Sequence, residues 1–286
     1  MISLRQISFL ITGSLVLAVL SGCFNSNFEI PDNVIVARDI DYADGHRLKK
    51  LDLYYCPQLL KPEGNPNIIL IHGGLWVSGD KAWKNFPSLA CELAQKGYIV
   101  ASINYRLAPK DKWPAMIDDC SEALDWIVEN ADSLNIDLER IGVFGSSSGG
   151  HLASLLFTQE RSRQKIKCNA SLFGDYDLPA LLDDCIIPFV GNIIRNKIFG
   201  NCGDDVLIQG SPLYNISGNP AEFGCNLSIH GTRDWMVDYS QAERFNSALQ
   251  EKGIDSELIS FDGTHGLQKY FKKEWPKIVD FFDEKL

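Results

Sequence analysis

The sequence predicts an α/β fold: a mainly parallel sheet with helices on both faces, an antiparallel hairpin at its N-terminal edge and a cap insertion. Three observations lead to this prediction. Short apolar segments typical of buried strands alternate with segments whose apolar residues recur at helical spacing. Residues 34–42 and 47–55 alternate in character and flank Asp44-Gly45, a dipeptide that favours a tight hairpin turn. Residues 178–220 do not fit the alternation, and an insertion of that length is usually a cap or lid.

After the hairpin, the predicted strands are short apolar runs, as expected for strands buried on both faces of a parallel sheet. These strands comprise residues 68–71, 98–104, 141–144, 169–173, 225–229 and 256–261. The predicted helices lie between them, and Gly97 and Gly253 end two of these helices. The helices comprise residues 86–96, 113–134, 148–158, 239–252 and 273–285. The alternation predicts one domain over residues 34–286.

The composition is that of an ordinary globular protein. The chain has 286 residues, of which 45% are hydrophobic and 22% charged, enough for one large core. Its formal net charge is -10 at pH 7. Because nucleic-acid phosphates require a basic surface, this charge argues against nucleic-acid binding. The composition does not indicate an oligomeric state.

The N-terminal residues have the features of an export signal. Arg5 precedes an apolar run, residues 7–20, that is too short to span a bilayer and is typical of a secretory signal peptide. The run ends in small residues before Cys23, a pattern that resembles the lipobox of bacterial lipoproteins. This predicts a signal peptide over residues 1–22, a lipid on Cys23, a polar tether over residues 23–33 and a membrane-anchored location in the cell envelope, outside the cytoplasm. The alternatives are an uncleaved anchor and a plain signal peptide with a chance cysteine.

The chain has eight cysteines. With Cys23 lipidated, the remaining number is odd, so at least one would have no partner within the chain. Cys185 and Cys202 flank one short segment and are the predicted disulfide pair, whereas the others lie in apolar stretches and are expected in the core. No two cysteines have CxxC spacing, which argues against a zinc or redox site.

The strongest chemical signal is Gly145-Ser146-Ser147-Ser148-Gly149, which lies between a predicted strand and a predicted helix. A nucleophilic serine has to protrude from a sharp, strained turn at such a junction. Only Ser147 has glycines two residues before and two residues after it, so Ser147 is the predicted nucleophile. The alternatives are a Gly/Ser loop and a phosphate-binding loop, but the lysine that usually ends a phosphate-binding loop is missing.

A serine hydroxyl needs a base to accept its proton. Three histidines follow Ser147: His151, His230 and His265. His265 lies in a turn after the last predicted strand, where the chain order serine, acid, histidine places the base. His151 is expected to pack against the core, and His230 to end a strand.

The acid that orients the base is expected after the preceding strand. Asp234 lies just past residues 225–229 and is the predicted acid, which would hold the imidazole in one tautomer and stabilise the imidazolium. Asp238 is the alternative.

Donors for the oxyanion are predicted in His72-Gly73-Gly74-Leu75-Trp76, which follows the first buried strand. Glycines let the backbone approach a substrate closely. The backbone N–H groups of Gly74, Leu75 and Ser148 are expected to point at the oxyanion. His72 is expected to form structural hydrogen bonds, and Trp76 either lines the acyl pocket or belongs to the core.

Together these motifs resemble the α/β-hydrolase fold, and more narrowly its hormone-sensitive-lipase-like and feruloyl-esterase-like (BD-FAE) branch. The resemblance extends from about residue 34 to the end. It rests in addition on the motif Asn-Tyr-Arg-Leu-Ala-Pro at residues 104–109. It implies the catalytic triad Ser147, Asp234 and His265, without a metal or organic cofactor.

Two positions depart from the family pattern. Leu75 replaces the third glycine often found after the histidine, and Ser148 stands where alanine is usual. The Ser148 N–H remains, so its oxyanion role is expected to remain as well. The resemblance also implies a structural role for Arg106, which is expected to pair with Asp118 or Asp119.

The resulting prediction is a serine esterase that hydrolyses short-acyl or carbohydrate-linked carboxylic esters through an acyl-enzyme. Apolar residues of the cap insertion are expected to shield an acyl chain: Ile186, Ile187, Phe189, Val190, Ile193 and Ile194. The alternatives are a small amidase or peptidase with the same triad and a catalytically silent, hydrolase-fold binding lipoprotein.

Overall fold

In a computed structural model, which describes residues 28–43, 45–83, 85–183, 188–265 and 271–286, an eight-stranded sheet forms the centre of the molecule. The strands are β1 (Ile35–Asp41), β2 (Lys50–Tyr55), β3 (Asn65–Ile71), β4 (Ile99–Ile103), β5 (Ile136–Ser146), β6 (Cys168–Leu172), β7 (Cys225–Gly231) and β8 (Ser256–Phe261). Their spatial order is β1-β2-β4-β3-β5-β6-β7-β8. Strands β1 and β2 pair antiparallel, β2 joins β4 antiparallel, and all other pairs are parallel. The predicted mainly parallel sheet with an N-terminal hairpin is therefore confirmed.

Helices cover both faces of this sheet. The described helices are α1 (Phe86–Ala94), α2 (Ala115–Glu129), α3 (Ala131–Leu134), α4 (Ser148–Thr158), α5 (Leu178–Asp183), α6 (Pro188–Lys197), α7 (Asp204–Gln209), α8 (Tyr239–Glu251) and α9 (Phe271–Lys285). Helices α2, α4 and α8 contribute to the hydrophobic cluster on one face, and α1 and α9 to the cluster on the other. In β3, Ile69 and Ile71 belong to the first cluster and Ile68 and Leu70 to the second, because successive side chains of a strand point to opposite faces.

The predicted helix over residues 113–134 is wrong as a single helix. It consists of α2 and α3, separated at Asn130, whose backbone has φ -102° and ψ 8°. The side-chain amide of Asn130 donates a hydrogen bond to the Trp126 carbonyl at 2.8 Å, which satisfies one of the last carbonyls of α2. The chain then begins a short second helix instead of continuing the first.

The segment over residues 178–220 is largely helical and contains α5, α6, α7 and 3-10 turns at Pro212–Asn215 and Pro220–Glu222. It is attached next to α4, where Gly210 accepts a hydrogen bond from the ring of His151 at 2.7 Å. Of the six residues expected to shield an acyl chain, only Ile194 has a described side chain, which is half-buried against the core. The others lie outside the described residues or side chains. The function of this segment as a cap stays a prediction.

The N-terminal predictions, including Cys23, and Asp44 of the hairpin turn lie outside the described residues. Within the described ranges, no helix has the length and apolar character needed to cross a membrane. Cys185 also lies outside these ranges, and Cys202 carries a free, half-buried thiol. Cys168 and Cys225 face each other at the starts of β6 and β7, with their sulfur atoms 2.8 Å apart, a proximity that the sequence did not indicate.

Candidate active site

The junction between β5 and α4 is a sharp turn with Ser147 at its apex. Strand β5 ends at Ser146, α4 begins at Ser148, and Ser147 has φ 54° and ψ -128°. This conformation is strained for a residue with a side chain and is typical of functional turns. The Ser147 N–H donates to the Leu172 carbonyl at the end of β6 at 2.8 Å, which holds the turn against the neighbouring strand.

The glycines on either side of this turn are required by close backbone packing. A Cβ atom at Gly145 would overlap the carbonyl oxygen of Gly149, because the chain folds back on itself there. A Cβ atom at Gly149 would overlap the carbonyl oxygen of Ile71, at the end of β3. The GxSxG spacing therefore allows the Ser147 turn to fit tightly against the neighbouring strand end.

The structure brings together the three side chains predicted for the triad. His265 Nε2 lies 3.0 Å from Ser147 Oγ, and His265 Nδ1 lies 2.7 Å from Asp234 Oδ2. Both distances are within hydrogen-bond reach, as nucleophile activation requires. The three residues follow β5, β7 and β8, so three separate loops meet at the carboxyl edge of the sheet.

The carboxylate of Asp234 accepts hydrogen bonds on both oxygens. Oδ1 accepts from the backbone N–H groups of Met236 and Val237 at 2.9 and 3.0 Å, and Oδ2 faces His265 and also His230 Nε2, at 3.4 Å. Burial raises the pKa of Asp234, but hydrogen bonds from His230 and His265 outweigh it and hold this pKa well below its usual range. Asp234 is therefore ionised at neutral pH. Since an ionised carboxylate can only accept, His265 carries its proton on Nδ1 and leaves Nε2 free to accept the Ser147 proton.

Asp238, the alternative acid, has a different task. It precedes α8, and its Oδ1 accepts a hydrogen bond from the Ser240 N–H at 2.9 Å. This is an N-terminal helix cap, so the structure favours Asp234 as the partner of His265.

The loop after β3 lies next to Ser147. Gly74, Leu75 and Trp76 have φ of 131°, 55° and 56°, so three consecutive residues have left-handed backbone. A Cβ atom at the preceding Gly73 would lie 3.3 Å from Ser147 Cβ, which places this loop beside the nucleophile. Among the hydrogen bonds of the described residues, none uses the N–H of Gly74, Leu75 or Ser148 as its donor. These groups are available for an oxyanion, which stays a prediction.

His72 has a structural position. Its Nδ1 lies 2.9 Å from the Gly73 carbonyl, its ring stacks on Tyr105 at 4.4 Å, and its own carbonyl accepts from the Tyr105 hydroxyl at 2.8 Å. Burial lowers the pKa of His72 to about 4, so the ring is neutral at neutral pH. Its contacts hold the loop after β3 in place.

Trp76 is fully buried, so of its two predicted roles the structure supports the core role rather than the pocket role. Its indole N–H donates to His151 Nδ1 at 3.3 Å, and its ring packs edge-on against His151 and Phe199. His151 is itself fully buried, as expected.

Arg106 pairs with Asp119 rather than Asp118, with Nη2 and Nε at 2.6 and 2.9 Å from its carboxylate.

Three residues near the triad were not singled out from the sequence, and a fourth, His230, was expected only to end a strand. The ring of Phe173, just after β6, lies 5.3 Å from that of His265. His230 contacts Asp234, Trp235 is 49% exposed immediately after it, and Asp175 is a buried carboxyl close enough to feel the Asp234 charge. The position of His230 four residues before Asp234 was the one available signal, because both flank the same strand end. Within the described residues, no group of three His, Cys, Asp or Glu side chains is placed to hold a metal ion.

The sheet topology, the strained serine turn and the His265–Asp234 pair define the class of this protein as an α/β hydrolase. The family model of BD-FAE matches residues 51–249, more than half of the chain, and the chain belongs to this family. The resemblance inferred from the motifs is thereby confirmed.

Curated relatives are similar over most of this chain. Esterase LipQ from Mycobacterium tuberculosis is 29% identical over 228 residues, which cover 75% of this chain and 53% of the relative. Isoprenylcysteine alpha-carbonyl methylesterase ICME from Arabidopsis thaliana is 27% identical over 253 residues, covering 80% and 56% respectively. The chain thus spans about half the length of the curated relatives it matches.

Solved structures share the fold. A truncated carbohydrate esterase from gut microbiota superposes with a TM-score of 0.74 at 23% identity and covers 88% of this chain and 96% of its own. A bifunctional GH43-CE protein from Bacteroides eggerthii superposes with a TM-score of 0.72 at 28% identity, covering 87% of this chain and 38% of its own.

Proposed function

We propose that this protein is a serine esterase that hydrolyses carboxylic esters through an acyl-enzyme. The observation that carries the proposal is the series of hydrogen-bond distances from Ser147 Oγ through His265 to the ionised Asp234. Membership in the BD-FAE family and the esterases among its relatives support the same activity.

In the proposed reaction, Ser147 Oγ attacks the ester carbonyl while His265 Nε2 accepts the hydroxyl proton. The imidazolium that forms is stabilised by Asp234, which stays ionised. The N–H groups of Gly74, Leu75 and Ser148 donate to the oxyanion, and each such donor typically contributes about 3–4 kcal/mol. His265 then protonates the leaving alcohol, and water hydrolyses the acyl-enzyme by the same route.

The proposed substrates are short-acyl or carbohydrate-linked esters. One similar protein is described as a carbohydrate esterase, and the Bacteroides eggerthii protein carries CE in its name. Trp235 adds a half-exposed aromatic ring directly after Asp234, a residue type suited to packing against the alcohol part of a substrate.

Fluorophosphonate labelling tests the nucleophile. We expect the wild type and Ser146→Ala to be modified covalently and Ser147→Ala not to be, because only Ser147 Oγ lies beside His265. In parallel, the wild type and Ser146→Ala should hydrolyse aryl acetates or butyrates, and Ser147→Ala should lose at least about 10³-fold in rate. Persistent labelling of Ser147→Ala, or a labelled wild type that cleaves amides but no ester, would contradict the proposal.

We also propose that residues 1–22 are a lipoprotein signal peptide and that lipid on Cys23 anchors the protein to the membrane of the cell envelope. The apolar run and the small residues before Cys23 support this. Growth of a bacterial expression host with labelled palmitate should label the wild type and leave Cys23→Ser unlabelled, and the wild type should fractionate with membranes. Cys56→Ser is the matched control, because it removes a buried thiol within the domain and should retain the label. Label retained in Cys23→Ser would refute the lipid site.

A further inference from the structure

The Asp234 carboxylate lies between two imidazole rings. His265 Nδ1 is 2.7 Å from Oδ2, and His230 Nε2 is 3.4 Å from the same oxygen. The His230 side chain is fully buried, near the end of β7, so its position relative to Asp234 is set by the core. The oxygen that supports the base therefore has a second nitrogen facing it.

The proton of His230 can be assigned from its neighbours. Nε2 lies 3.1 Å from the Val237 carbonyl, and since a carbonyl oxygen only accepts, Nε2 carries a proton. This N–H points toward the Val237 carbonyl, and Asp234 Oδ2 lies 3.4 Å from the same nitrogen. Nδ1 is buried and has no hydrogen-bond partner among the described residues. The ring thus acts in this site as a donor from Nε2.

These contacts connect His230 to both ends of the loop that carries Asp234, residues 232–238, here called the acid loop. The Val237 N–H donates to Asp234 Oδ1 at 3.0 Å, while the Val237 carbonyl accepts from His230. The ring of Phe173 packs against both imidazoles, at 6.4 Å from His230 and 5.3 Å from His265. His230 therefore holds the acid loop against the end of β7 and, through Phe173, lies in one packed group with the base.

Building on the proposed esterase activity, we propose that His230 is a positioning residue, which shares the Asp234 carboxylate with His265 and limits how strongly this carboxylate stabilises the protonated base. A donor to Oδ2 competes with His265 for the same oxygen. Without it, Asp234 would interact with His265 alone, so the base would stay protonated to higher pH. The acidic limb of kcat/KM would then move to higher pH.

Other titratable groups face this cluster. Asp175 lies close enough to Asp234 for its charge to act on it, Asp238 interacts electrostatically with His230, and the ring of Tyr239 lies 6.0 Å from that of His230. Burial and the Asp234 charge raise the pKa of Asp175 to about 8, so Asp175 is uncharged in the range where the acidic limb is measured. The hydrogen bonds from Ser240 hold the pKa of Asp238 below its ordinary value, so Asp238 stays ionised over the same range and a shift of the limb reports on His230.

The test compares kcat/KM for an aryl butyrate against pH in the wild type, His230→Gln and His230→Leu. The glutamine amide can still donate toward Oδ2 and Val237, whereas leucine fills space and donates nothing. In His230→Leu we expect the midpoint of the acidic limb of kcat/KM to move to higher pH by about half a unit or more. We also expect kcat to fall about tenfold, with KM nearly unchanged. In His230→Gln the limb should stay close to that of the wild type. An unmoved limb in a folded His230→Leu, or equal shifts in both variants, would overturn the proposal.

Proton NMR of the full chain gives a measurement that does not require His230→Leu to fold. The N–H resonances of His265 Nδ1 and His230 Nε2 should both move when Asp234 is replaced by Asn, since both protons face the same carboxylate. A His230 resonance that does not move would also overturn the proposal. Absence of ester hydrolysis in the wild type would instead count against the proposed function, while the NMR result would still decide the shared carboxylate.

Discussion

At the scale of single residues, the candidate site contains two buried carboxyl groups in opposite charge states. Burial raises the pKa of both, but Asp234 receives hydrogen bonds from His230 and His265, and its pKa falls well below the usual range. Asp175 faces the Asp234 charge, which together with burial raises its pKa to about 8. At neutral pH, Asp234 is therefore ionised and Asp175 protonated. One negative charge beside His265 is what imidazolium stabilisation requires.

Replacing Asp175 by Asn should remove a pH-dependent loss of stability. In the fold the Asp175 carboxyl has a pKa of about 8 against an ordinary value of 3.8, so the folded chain keeps a proton that the unfolded chain has released. Stability from this proton is complete below the ordinary value and lost as pH rises through 8, at up to about 1.4 kcal/mol per pH unit. Asn has the shape of the protonated form but does not titrate.

We therefore expect the advantage of Asp175→Asn over the wild type to grow between pH 5 and pH 8 and to level off above that. Urea unfolding at several pH values measures this difference directly. A difference between the two proteins that is the same at pH 5 and pH 8 would show that Asp175 does not titrate as described.

The sequence predicted Ser147, Asp234 and His265 correctly as neighbours, because the order of motifs and the ends of strands indicate which loops meet. It did not predict the position of His230 beside Asp234, since the orientation of the His230 ring, which turns Nε2 toward the carboxylate, depends on tertiary packing in the core. A core position for Trp76 was one of two open alternatives, and its full burial and its contact with His151 favour that alternative.

At the scale of elements, the agreement between sequence and structure follows from local patterns. Strand β8 has the predicted bounds, 256–261, and α4 has the predicted bounds, 148–158. Strand β5 was predicted only from residue 141, because the polar side chains of Asp137, Glu139 and Arg140 interrupt its apolar run and residues 137–140 are exposed or half-buried. Buried runs are visible in a sequence, whereas the part of a strand that extends beyond the core is not.

The helices of the segment over residues 178–220 were also not indicated by local sequence patterns. Its helices are short and mixed in composition, so helical periodicity was not apparent. They are fixed by tertiary hydrogen bonds, such as that from the Leu178 N–H to Ser211 Oγ at 2.9 Å and that between His151 and Gly210. Because these bonds join distant residues, local sequence does not indicate them.

At the scale of the whole molecule, the strand order explains why the site forms. Strand β3 lies between β4 and β5, so the loop after β3 and the Ser147 turn after β5 leave the same edge of the sheet side by side. Strands β7 and β8 are also parallel neighbours, which brings Asp234 and His265 together. The sequence predicted a parallel sheet and hence a common edge, but this spatial order follows only from the structure.

The whole molecule should be most stable near pH 6.5, and this prediction combines three buried groups. Burial lowers the pKa of His72 and of His151 to about 4, from an ordinary 6.5. As pH falls below 6.5, the unfolded chain binds protons that the folded chain does not accept until about pH 4. Stability from these two rings is thus complete above 6.5 and lost as pH falls. Asp175 acts in the opposite direction. Between its ordinary pKa of 3.8 and its pKa of about 8 in the fold, only the folded chain holds the proton, so its contribution to stability falls as pH rises.

Adding the three contributions gives the expected slopes. Of these three groups only Asp175 titrates between pH 6.5 and 8, and its contribution lowers the free energy of unfolding by up to about 1.4 kcal/mol per unit as pH rises toward 8. Below pH 6.5 the two histidines outweigh Asp175 by one proton, and the free energy falls by a similar amount per unit as pH decreases. Urea unfolding at pH 5, 6.5 and 8 measures both limbs. Since His151→Gln removes one titrating ring, this variant should show a flatter acidic limb and an unchanged alkaline limb. A wild type whose stability keeps rising from pH 6.5 to pH 5 would contradict the assignment of His72 and His151 as buried neutral rings.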